Sequence, residues 1–474
     1  MRASLKQIVA AFAVSLPLLA FAQNPPADAS KPAEPAAAAP AAPAAEPAKP
    51  AEAPPAPPKD EGPKFTWYGF VLANAFFDGG TFAAKDYPGQ VTRDPAGAGG
   101  AVLFSARQSR IGMKVAMKDT NWTGADLGAQ LEFDFKAGYV PTSGTATCQP
   151  IPGPLPATPS CTVAISAANT PSTAWYNGLM RLRLAYMTAT WKGSAGSLQF
   201  LAGQAYGLVN GLFAESLAWT ADPLFWQAGN IWRRSPQFRL SYNGQFDMVG
   251  LVVEAAALNP ADAPPAGSVP GAAVDFGAGN RSRSPDIEGH AALTLKLSPT
   301  TNFMVGAGIN KSKRTYDTGA NKKDLSPSMI GLEADFNVPF VEVKGEYFKN
   351  DGEADTYNDS SSSVTGAAGT RSLIGSKGFW AQVILKPVPA LWVTGGIGDA
   401  KGDSGDLDKI TASRTGVRAE NKQVEAGVIV NAGKAWRFGA EWMKTTSTYL
   451  GAAVGDPTFA IDATQFAVSS QLRF

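Results

Sequence analysis

The last eleven residues of the chain, 464–474, alternate between two kinds of side chain with a period of two. One face is mostly large and apolar, and the other is small or polar. The larger apolar side chains are those of Phe466, Val468, Leu472 and Phe474. Because successive side chains of a β-strand point to opposite sides, this pattern predicts a half-buried strand. Such a strand suits either the edge of a soluble sandwich or the wall of a closed barrel.

The same alternation recurs along the chain after residue 63. Strands are predicted near residues 65–77, 108–117, 127–136, 181–191, 198–205, 237–242, 246–258, 287–297, 303–310, 329–337 and 340–349, and five more begin near Phe379, Leu391, Gln423, Ala435 and Thr464. Tight turns, such as Asn243–Gly244, alternate with long loops. The sequence therefore predicts an all-β fold, a transmembrane antiparallel β-barrel of about 16 strands with long extracellular loops.

Charged side chains occupy only one face of these strands. The clearest examples, on the tenth and eleventh predicted strands, are Glu333, Asp335, Glu342, Lys344 and Glu346. Burying such groups in a dry core costs several kcal/mol each, so this face is expected to line a water-filled lumen while the apolar face contacts lipid. This favours the barrel over the sandwich. The aromatic residues expected at the lipid interfaces are Trp67, Tyr186, Tyr347, Trp436 and Trp442.

The amino terminus carries an export signal. Arg2 and Lys6 precede an apolar core at residues 8–19, and Ala20 and Ala22 supply small residues for cleavage before Gln23. Residues 1–22 are thus predicted to be a signal peptide, and the mature protein is expected in the bacterial outer membrane. Removal of the signal peptide leaves 39 of the 41 basic residues, against 40 acidic residues. This near-neutral balance argues against nucleic acid as a partner.

Residues 23–63 consist almost entirely of Ala, Pro, Lys and Glu. Such a composition cannot bury a core and favours extended, polyproline-like conformers. Two interpretations stay open, a periplasmic linker that reaches the peptidoglycan and a disordered leader without a partner. Residues 64–474 then form the barrel.

Two cysteines and one histidine are the remaining candidates for special chemistry. Cys148 and Cys161 lie in one predicted loop, and in an exported protein such a pair is expected to form a disulfide. His290 has no nucleophile or orienting acid at a recognisable spacing, so it is interpreted as a residue of the lumen wall. No metal or cofactor motif is present in the sequence, and no enzymatic activity is expected.

The third long loop, residues 206–234, is unusually apolar for a connection between strands. It contains Leu208, Leu212, Phe213, Leu217, Trp219, Leu224, Phe225, Trp226, Ile231 and Trp232. A solvated surface loop rarely carries so many large apolar groups. We expect it to fold inward against the barrel wall, although docking on a neighbouring subunit would also bury these side chains.

An ordered series of segments resembles the DcaP-like family of trimeric outer-membrane porins. The segments span residues 104–112, 130–135, 181–186, 201–204 and 234–239. The resemblance implies a sixteen-stranded homotrimeric channel whose constriction favours small anionic solutes, often carboxylated or aromatic. The terminal Phe474 likewise resembles the assembly signal of outer-membrane barrels, which the barrel-assembly machinery reads. The chain departs from the family at its amino terminus, where the Ala/Pro-rich linker replaces a coiled-coil segment.

Basic residues on neighbouring strands predict a pore that selects anions. The expected pore-lining residues are Arg107, Arg110, Lys114, Arg181, Arg183, Arg233, Arg234 and Arg239, together with the acids Glu132 and Asp134. Guanidinium groups match carboxylate and phosphate oxygens, and a narrow throat focuses their field. Acids could instead neutralise the arginines in pairs. Because most acids lie on the tenth and eleventh strands, we expect separated charges.

Together these features predict a porin for passive diffusion of small hydrophilic, anionic solutes. The alternative is a structural or surface-binding barrel tethered to the cell envelope through the linker. An outer-membrane hydrolase would require activity that depends on His290.

Overall fold

The computed structural model is a closed antiparallel β-barrel. It describes residues 62–93, 99–118, 124–137, 147–149, 160–162, 178–260, 282–317, 319–357, 362–411 and 414–474. The predicted signal peptide and nearly all of the predicted linker therefore lie outside the described residues. The large sheet has seventeen segments, two of which form a single interrupted strand, so sixteen strands make up the wall. The predicted fold class is confirmed.

The wall strands are numbered β1 to β16 in chain order. They are β1 (Lys64–Asp78), β2 (Ala101–Ser105 and Arg110–Lys118), β3 (Asp126–Asp134), β4 (Arg181–Gly193), β5 (Gly196–Tyr206), β6 (Arg234–Phe246), β7 (Val249–Leu258), β8 (Asp286–Ser298), β9 (Thr301–Lys311), β10 (Ser328–Val338), β11 (Val341–Asp351), β12 (Gly375–Val388), β13 (Leu391–Gly402), β14 (Arg418–Ala432), β15 (Trp436–Tyr449) and β16 (Phe459–Arg473). The barrel closes where β1 pairs with β16, with Ala75 opposite Val468. The backbone of Phe474 extends this pairing, because its N–H donates to Gly69 O at 3.2 Å.

In the wall, apolar side chains are exposed and polar side chains are buried, the reverse of their usual distribution in a soluble protein. Phe104, Trp67 and Phe238 on the outer face are 69%, 63% and 65% exposed, whereas Gln382 and Gln465 on the inner face are fully buried. The alternation predicted from the sequence therefore places the apolar side chains outside. The prediction for Tyr186 was wrong, because its hydroxyl donates to Gln130 inside the barrel at 2.7 Å.

Short turns join the strands at one end of the barrel, and longer loops join them at the other. The described parts of the loops contain four short strand pairs, Phe82–Ala84 with Tyr87–Val91, Thr147–Gln149 with Ser160–Thr162, Arg314–Tyr316 with Lys323–Leu325, and Val364–Thr365 with Ser372–Leu373. They also contain a short helix, α1 (Ser404–Leu407), and 3-10 turns at Gly319–Asn321 and Arg414–Gly416. Among the described residues, no helix is long and apolar enough to cross a membrane.

Two local irregularities differ from the sequence prediction. β6 runs through Asn243–Gly244, and its turn lies further on at Asp247, whose φ of 53° is one that Asp tolerates better than most residues. β2 is broken at residues 106–109, where the Ser109 hydroxyl accepts a hydrogen bond from Leu72 N at 3.0 Å. The break interrupts pairing with β1 just where Arg107 and Gln108 lie.

Candidate functional site

The loop between β5 and β6, residues 207–233, folds into the barrel. Its side chains Leu217, Trp219 and Phe225 are at most 2% exposed. Trp219 and Phe225 belong to one apolar cluster with inner-face residues of the wall, including Phe76 of β1 and Trp380 of β12. Leu217 belongs to a second cluster with Leu72 of β1 and Ile429 of β14. The inward folding predicted for this loop agrees with the structure. We call residues 207–233 the inner loop.

Carboxylates of the wall hold the backbone of the inner loop. Gly211 N donates to Glu333 at 2.8 Å, and Leu212 N donates to Glu346 at 2.8 Å. Glu441 accepts from both Leu217 N and Ala218 N, at 2.9 and 2.7 Å. Backbone N–H groups that leave a sheet must find other acceptors when buried, and these acids supply them. Glu333, Glu346 and Glu441 are therefore 5%, 4% and 1% exposed, and the expectation that such acids face open water was wrong for them.

A second loop also folds inward, which the sequence did not reveal. The hairpin of residues 82–91, between β1 and β2, places Tyr87 against the inner loop, where the Tyr87 hydroxyl donates to Pro223 O at 2.8 Å. The rings of Tyr87 and Trp226 are 5.1 Å apart. On the opposite wall, Pro88 O accepts from Thr445 Oγ1 at 2.6 Å. The Gly-rich composition of this connection is that of an ordinary surface loop, so no local signal marked it.

A chain of ion pairs connects the two inward loops with β2, β3 and β4. Starting from the first loop, the contacts are Arg107 Nε to Asp86 (2.6 Å), Lys136 Nζ to Asp86 (3.8 Å) and to Asp222 (2.5 Å), Arg181 to Asp222 (3.3 Å) and to Asp134 (2.7 Å), Arg183 to Asp134 (2.8 Å) and to Glu132 (2.8 Å), and Arg110 Nε to Glu132 (3.6 Å). We call these residues the charge chain. The expectation that acids lie away from the arginines was wrong here, because each acid lies between cations.

The loop carboxylates of the charge chain are ionised at neutral pH. Burial alone would raise the pKa of Asp222, but the charges of Lys136 and Arg181 outweigh it and hold that pKa well below its usual range. Burial likewise opposes ionisation of Asp86, and the neighbouring Lys136 and Arg107 lower its pKa overall. The positive charges of Arg107 and Lys136 are thereby largely compensated within the protein.

The other predicted pore residues fall into different environments. Arg233 is buried and donates to Asp286 at 2.9 Å and to Asn259 O at 3.0 Å. Arg239 Nη1 lies 3.6 Å from Glu254, and the Lys114 ammonium lies 5.3 Å from the centre of the Tyr68 ring. Arg234, like Lys114, forms no ion pair within the described part of the chain, and its Nε and Nη1 have no hydrogen-bond partner there.

His290 lies between two carboxylates on the inner face. Its Nε2 is 2.8 Å from Glu333, and its Nδ1 is 3.4 Å from Glu254. Ser241 Oγ donates to Glu254 at 2.7 Å and not to His290, so these side chains do not have the order of a catalytic triad. No group of His, Cys, Asp and Glu among the described residues could hold a metal ion.

The two cysteines lie opposite each other in the backbone register of a short strand pair. Cys148 of Thr147–Gln149 pairs with Cys161 of Ser160–Thr162. Directly opposed residues of an antiparallel pair have Cα atoms about 4.5–5.5 Å apart, within the range that a disulfide bridges. The disulfide remains a prediction.

Several solved outer-membrane proteins are similar in structure to this chain. The outer membrane channel DcaP of Acinetobacter baumannii is similar with a TM-score of 0.61 and 15% sequence identity, over 87% of this chain and 98% of that chain. OprB of Pseudomonas putida matches with a TM-score of 0.49 and 11% identity, over 86% and 94% of the two chains. The trimer form of OmpT of Vibrio cholerae matches with a TM-score of 0.47 and 11% identity, over 87% and 100%. No protein-family model and no curated protein sequence matches the chain. At 15% identity, the likeness to DcaP shows the fold.

Proposed function

We propose that the protein is an outer-membrane porin through which small hydrophilic solutes diffuse passively. The observation that carries this proposal is a closed barrel with an apolar outer face, a polar inner face and an inner loop that narrows the interior. Closed barrels are one of only two architectures that satisfy all backbone hydrogen bonds within lipid. The similar fold of the outer membrane channel DcaP supports the same function.

We propose that the channel prefers anions, and the net charge of the charge chain together with Arg234 supports this preference. The charge chain and Arg234 beside it contain six cations, Arg107, Arg110, Lys136, Arg181, Arg183 and Arg234, against four carboxylates, Asp86, Glu132, Asp134 and Asp222. Six minus four leaves two surplus positive charges. In a narrow, low-dielectric passage such a surplus attracts anions, including carboxylates.

Planar-bilayer recording tests both parts of this proposal. Purified, heat-modifiable protein is expected to produce stepwise conductance, and the reversal potential in a KCl gradient is expected to have the sign of chloride permeation. Folded protein that never conducts would contradict the channel. Conductance with a cation-directed reversal potential would contradict only the anion preference.

A second function is favoured by how completely the loops fill the interior. Trp219 and Phe225 of the inner loop and Tyr87 of the first loop are almost fully buried within the barrel. A plugged barrel of this kind would serve as a structural or surface-binding element, tethered through residues 23–63. This function would be favoured over diffusion if the protein does not conduct and co-sediments with peptidoglycan. Deletion of residues 24–61 should then abolish the co-sedimentation.

Assembly as a homotrimer is proposed from the resemblance to trimeric porins. The outer wall of β2 to β5 has a depression of about 320 Å³, and the small residues Ala129, Ala185, Ala202 and Gly203 contribute to its lining. We propose that a second copy of this chain packs against this depression, at whose edge Met187 is 64% exposed. Native mass spectrometry in mild detergent is expected to show trimers, and a monomer would contradict this assembly.

The proposal includes cleavage of the signal peptide on export and oxidation of the two cysteines. We expect the mature protein to begin at Gln23 and to contain a disulfide between Cys148 and Cys161. Amino-terminal sequencing and thiol labelling of the unfolded, unreduced protein check these expectations. Two reactive thiols per chain would exclude the disulfide.

A further inference from the structure

Three lysines form a row across the outer face of the barrel, close to the end where the long loops begin. Lys349 of β11 lies directly opposite Lys377 of β12, which in turn lies directly opposite Lys401 of β13. All three side chains are exposed. Directly opposed residues of neighbouring antiparallel strands have Cβ atoms about 4.5–5.5 Å apart, so three positive charges start within roughly 10 Å of wall. We call these residues the lysine row.

The nearby acids do not pair with the lysine row. Asp399 and Glu420 contact Lys422 of β14, at 4.0 and 2.9 Å, and Asp351 lies beyond the row at the end of β11. Among the described residues, no acid forms an ion pair with any of the three lysines of the row. Like charges at directly opposed positions repel each other and destabilise a sheet. An anion that comes from outside the protein would offset this repulsion.

Large apolar side chains continue the same face towards the middle of the wall. Tyr347 and Phe379, each two residues along its strand from Lys349 or Lys377, lie opposite each other and are 40% and 38% exposed. Ile397 of β13 is 47% exposed. Because alternate residues of a strand share a face, the lysine row adjoins this apolar surface. A ligand that fits both parts has an anionic headgroup joined to hydrocarbon chains.

The position of the lysine row in the barrel favours a membrane lipid as its partner. Residues 352–374 join β11 to β12 and residues 403–417 follow β13, so the row lies at the end with the long loops, which is expected to face outwards. β11 to β13 lie on the opposite side of the barrel from β2 to β5, where we propose subunit contact. A second copy packed against β2 to β5 leaves the lysine row facing the membrane.

We propose that the lysine row binds a phosphorylated glycolipid of the outer leaflet, with its phosphates on the ammonium groups and its acyl chains along Tyr347 and Phe379. This inference goes beyond the proposed channel, because it concerns the outer face and does not depend on conduction. Each lysine close to an anionic lipid headgroup adds to the attraction. A glycolipid with two phosphates is therefore expected to bind more tightly than a phospholipid with one, and added salt is expected to weaken its binding.

Lipid binding to the full-length protein in a neutral detergent tests this site. The Kd values for diphosphoryl lipid A, monophosphoryl lipid A and phosphatidylglycerol are measured by native mass spectrometry. In the triple variant Lys349→Gln, Lys377→Gln, Lys401→Gln, the Kd for diphosphoryl lipid A is expected to rise about a hundredfold, which is ~2.8 kcal/mol at 1.4 kcal/mol per factor of ten. The wild type is expected to bind monophosphoryl lipid A with intermediate affinity. Arg at the same three positions keeps the charge and is expected to preserve binding.

A matched control removes three exposed lysines from the other end of the barrel. They are Lys64, Lys118 and Lys434. Their joint substitution by Gln changes the net charge of the protein by the same amount. Because these lysines lie at the end with the short turns, the control variant is expected to keep the wild-type Kd for diphosphoryl lipid A.

Thermal unfolding separates a binding role of the lysine row from a structural one. Because the Gln substitutions remove mutual repulsion, the triple variant of the row is expected to unfold in neutral detergent at the wild-type temperature or above it. A lower unfolding temperature would overturn the inference, because the lysines would then hold the wall together. An unchanged Kd in this variant, an equal loss of binding in the control variant, or equal affinity of the wild type for phosphatidylglycerol and diphosphoryl lipid A would also overturn it.

Discussion

Removing the carboxylate of Glu441 is expected to release the inner loop locally. Glu441 is 1% exposed and accepts two backbone hydrogen bonds, from Leu217 N at 2.9 Å and Ala218 N at 2.7 Å. In Glu441→Ala both N–H groups lose their acceptor in a place that solvent does not reach. An unsatisfied buried donor costs roughly 1–3 kcal/mol, so the two together cost about 2–6 kcal/mol.

Hydrogen exchange measures this cost at the two amides concerned. A loss of about 2 kcal/mol in local stability speeds exchange at Leu217 and Ala218 roughly thirtyfold, since every 1.4 kcal/mol is about tenfold. Glu441→Gln keeps one acceptor oxygen, so its exchange is expected to lie between those of Glu441→Ala and the wild type. The amide of Val305 in β9 serves as the internal control, because it belongs to the barrel ladder. Equal exchange at Leu217 and Ala218 in the wild type and Glu441→Ala would refute the clamping role, and faster exchange at Val305 as well would indicate global unfolding instead.

Three further predictions concern the wall and the charge chain. Arg183→Ala leaves Glu132 and Asp134 buried with fewer partners, and breaking a buried ion pair in this way is expected to lower the free energy of unfolding by about 3–5 kcal/mol in urea titrations; an unchanged midpoint would contradict the structural role. The pKa of Asp222 is lower in the folded than in the unfolded protein, so the stability that it contributes is fully present above the ordinary aspartate pKa of about 3.9 and is lost as the pH falls below it. The unfolding temperature of the wild type is therefore expected to be more sensitive to acid than that of Asp222→Asn, whereas parallel curves would refute this assignment. Leu332 lies in the middle of β10 and is 48% exposed on the outer face, so Leu332→Arg is expected to cost about 2–4 kcal/mol on folding into lipid vesicles, against a small effect for Leu332→Phe; equal folding of both variants would show that this face does not meet lipid.

The resemblance to trimeric porins and the strand pattern led to the same architecture by different routes. The strand pattern depends on side-chain alternation alone, which a barrel imposes on every wall strand. The errors of the strand prediction were confined to single segments. The turn placed at Asn243–Gly244 follows composition, whereas the pairing of Gly196 with Gly244 continues β6 past that point. A neighbouring strand decides where a turn falls, and a single segment does not contain that information.

Local sequence predicts the position of the loops even less well than the position of the turns. The inner loop could be recognised because its many large apolar side chains need burial somewhere. The first loop could not, because Tyr87 is one aromatic residue in a Gly-rich segment, and its burial depends on reaching Pro223 and Trp226 far along the chain. Burial of a loop in a barrel depends on the space that the other loops leave.

What the sequence alone determined is the wall, with the number of its strands and the face that is apolar, and the inward folding of residues 207–233. Each of these follows from local periodicity or local composition. Which charges remain unpaired was decided only by the tertiary structure. The register shift between β3 and β4 leaves Arg183 without a directly opposed residue, and both it and Arg181 reach Asp134. The same folding leaves Arg234 without an ion pair among the described residues, because an ion pair depends on distances across strands and loops that alternation along one strand does not encode.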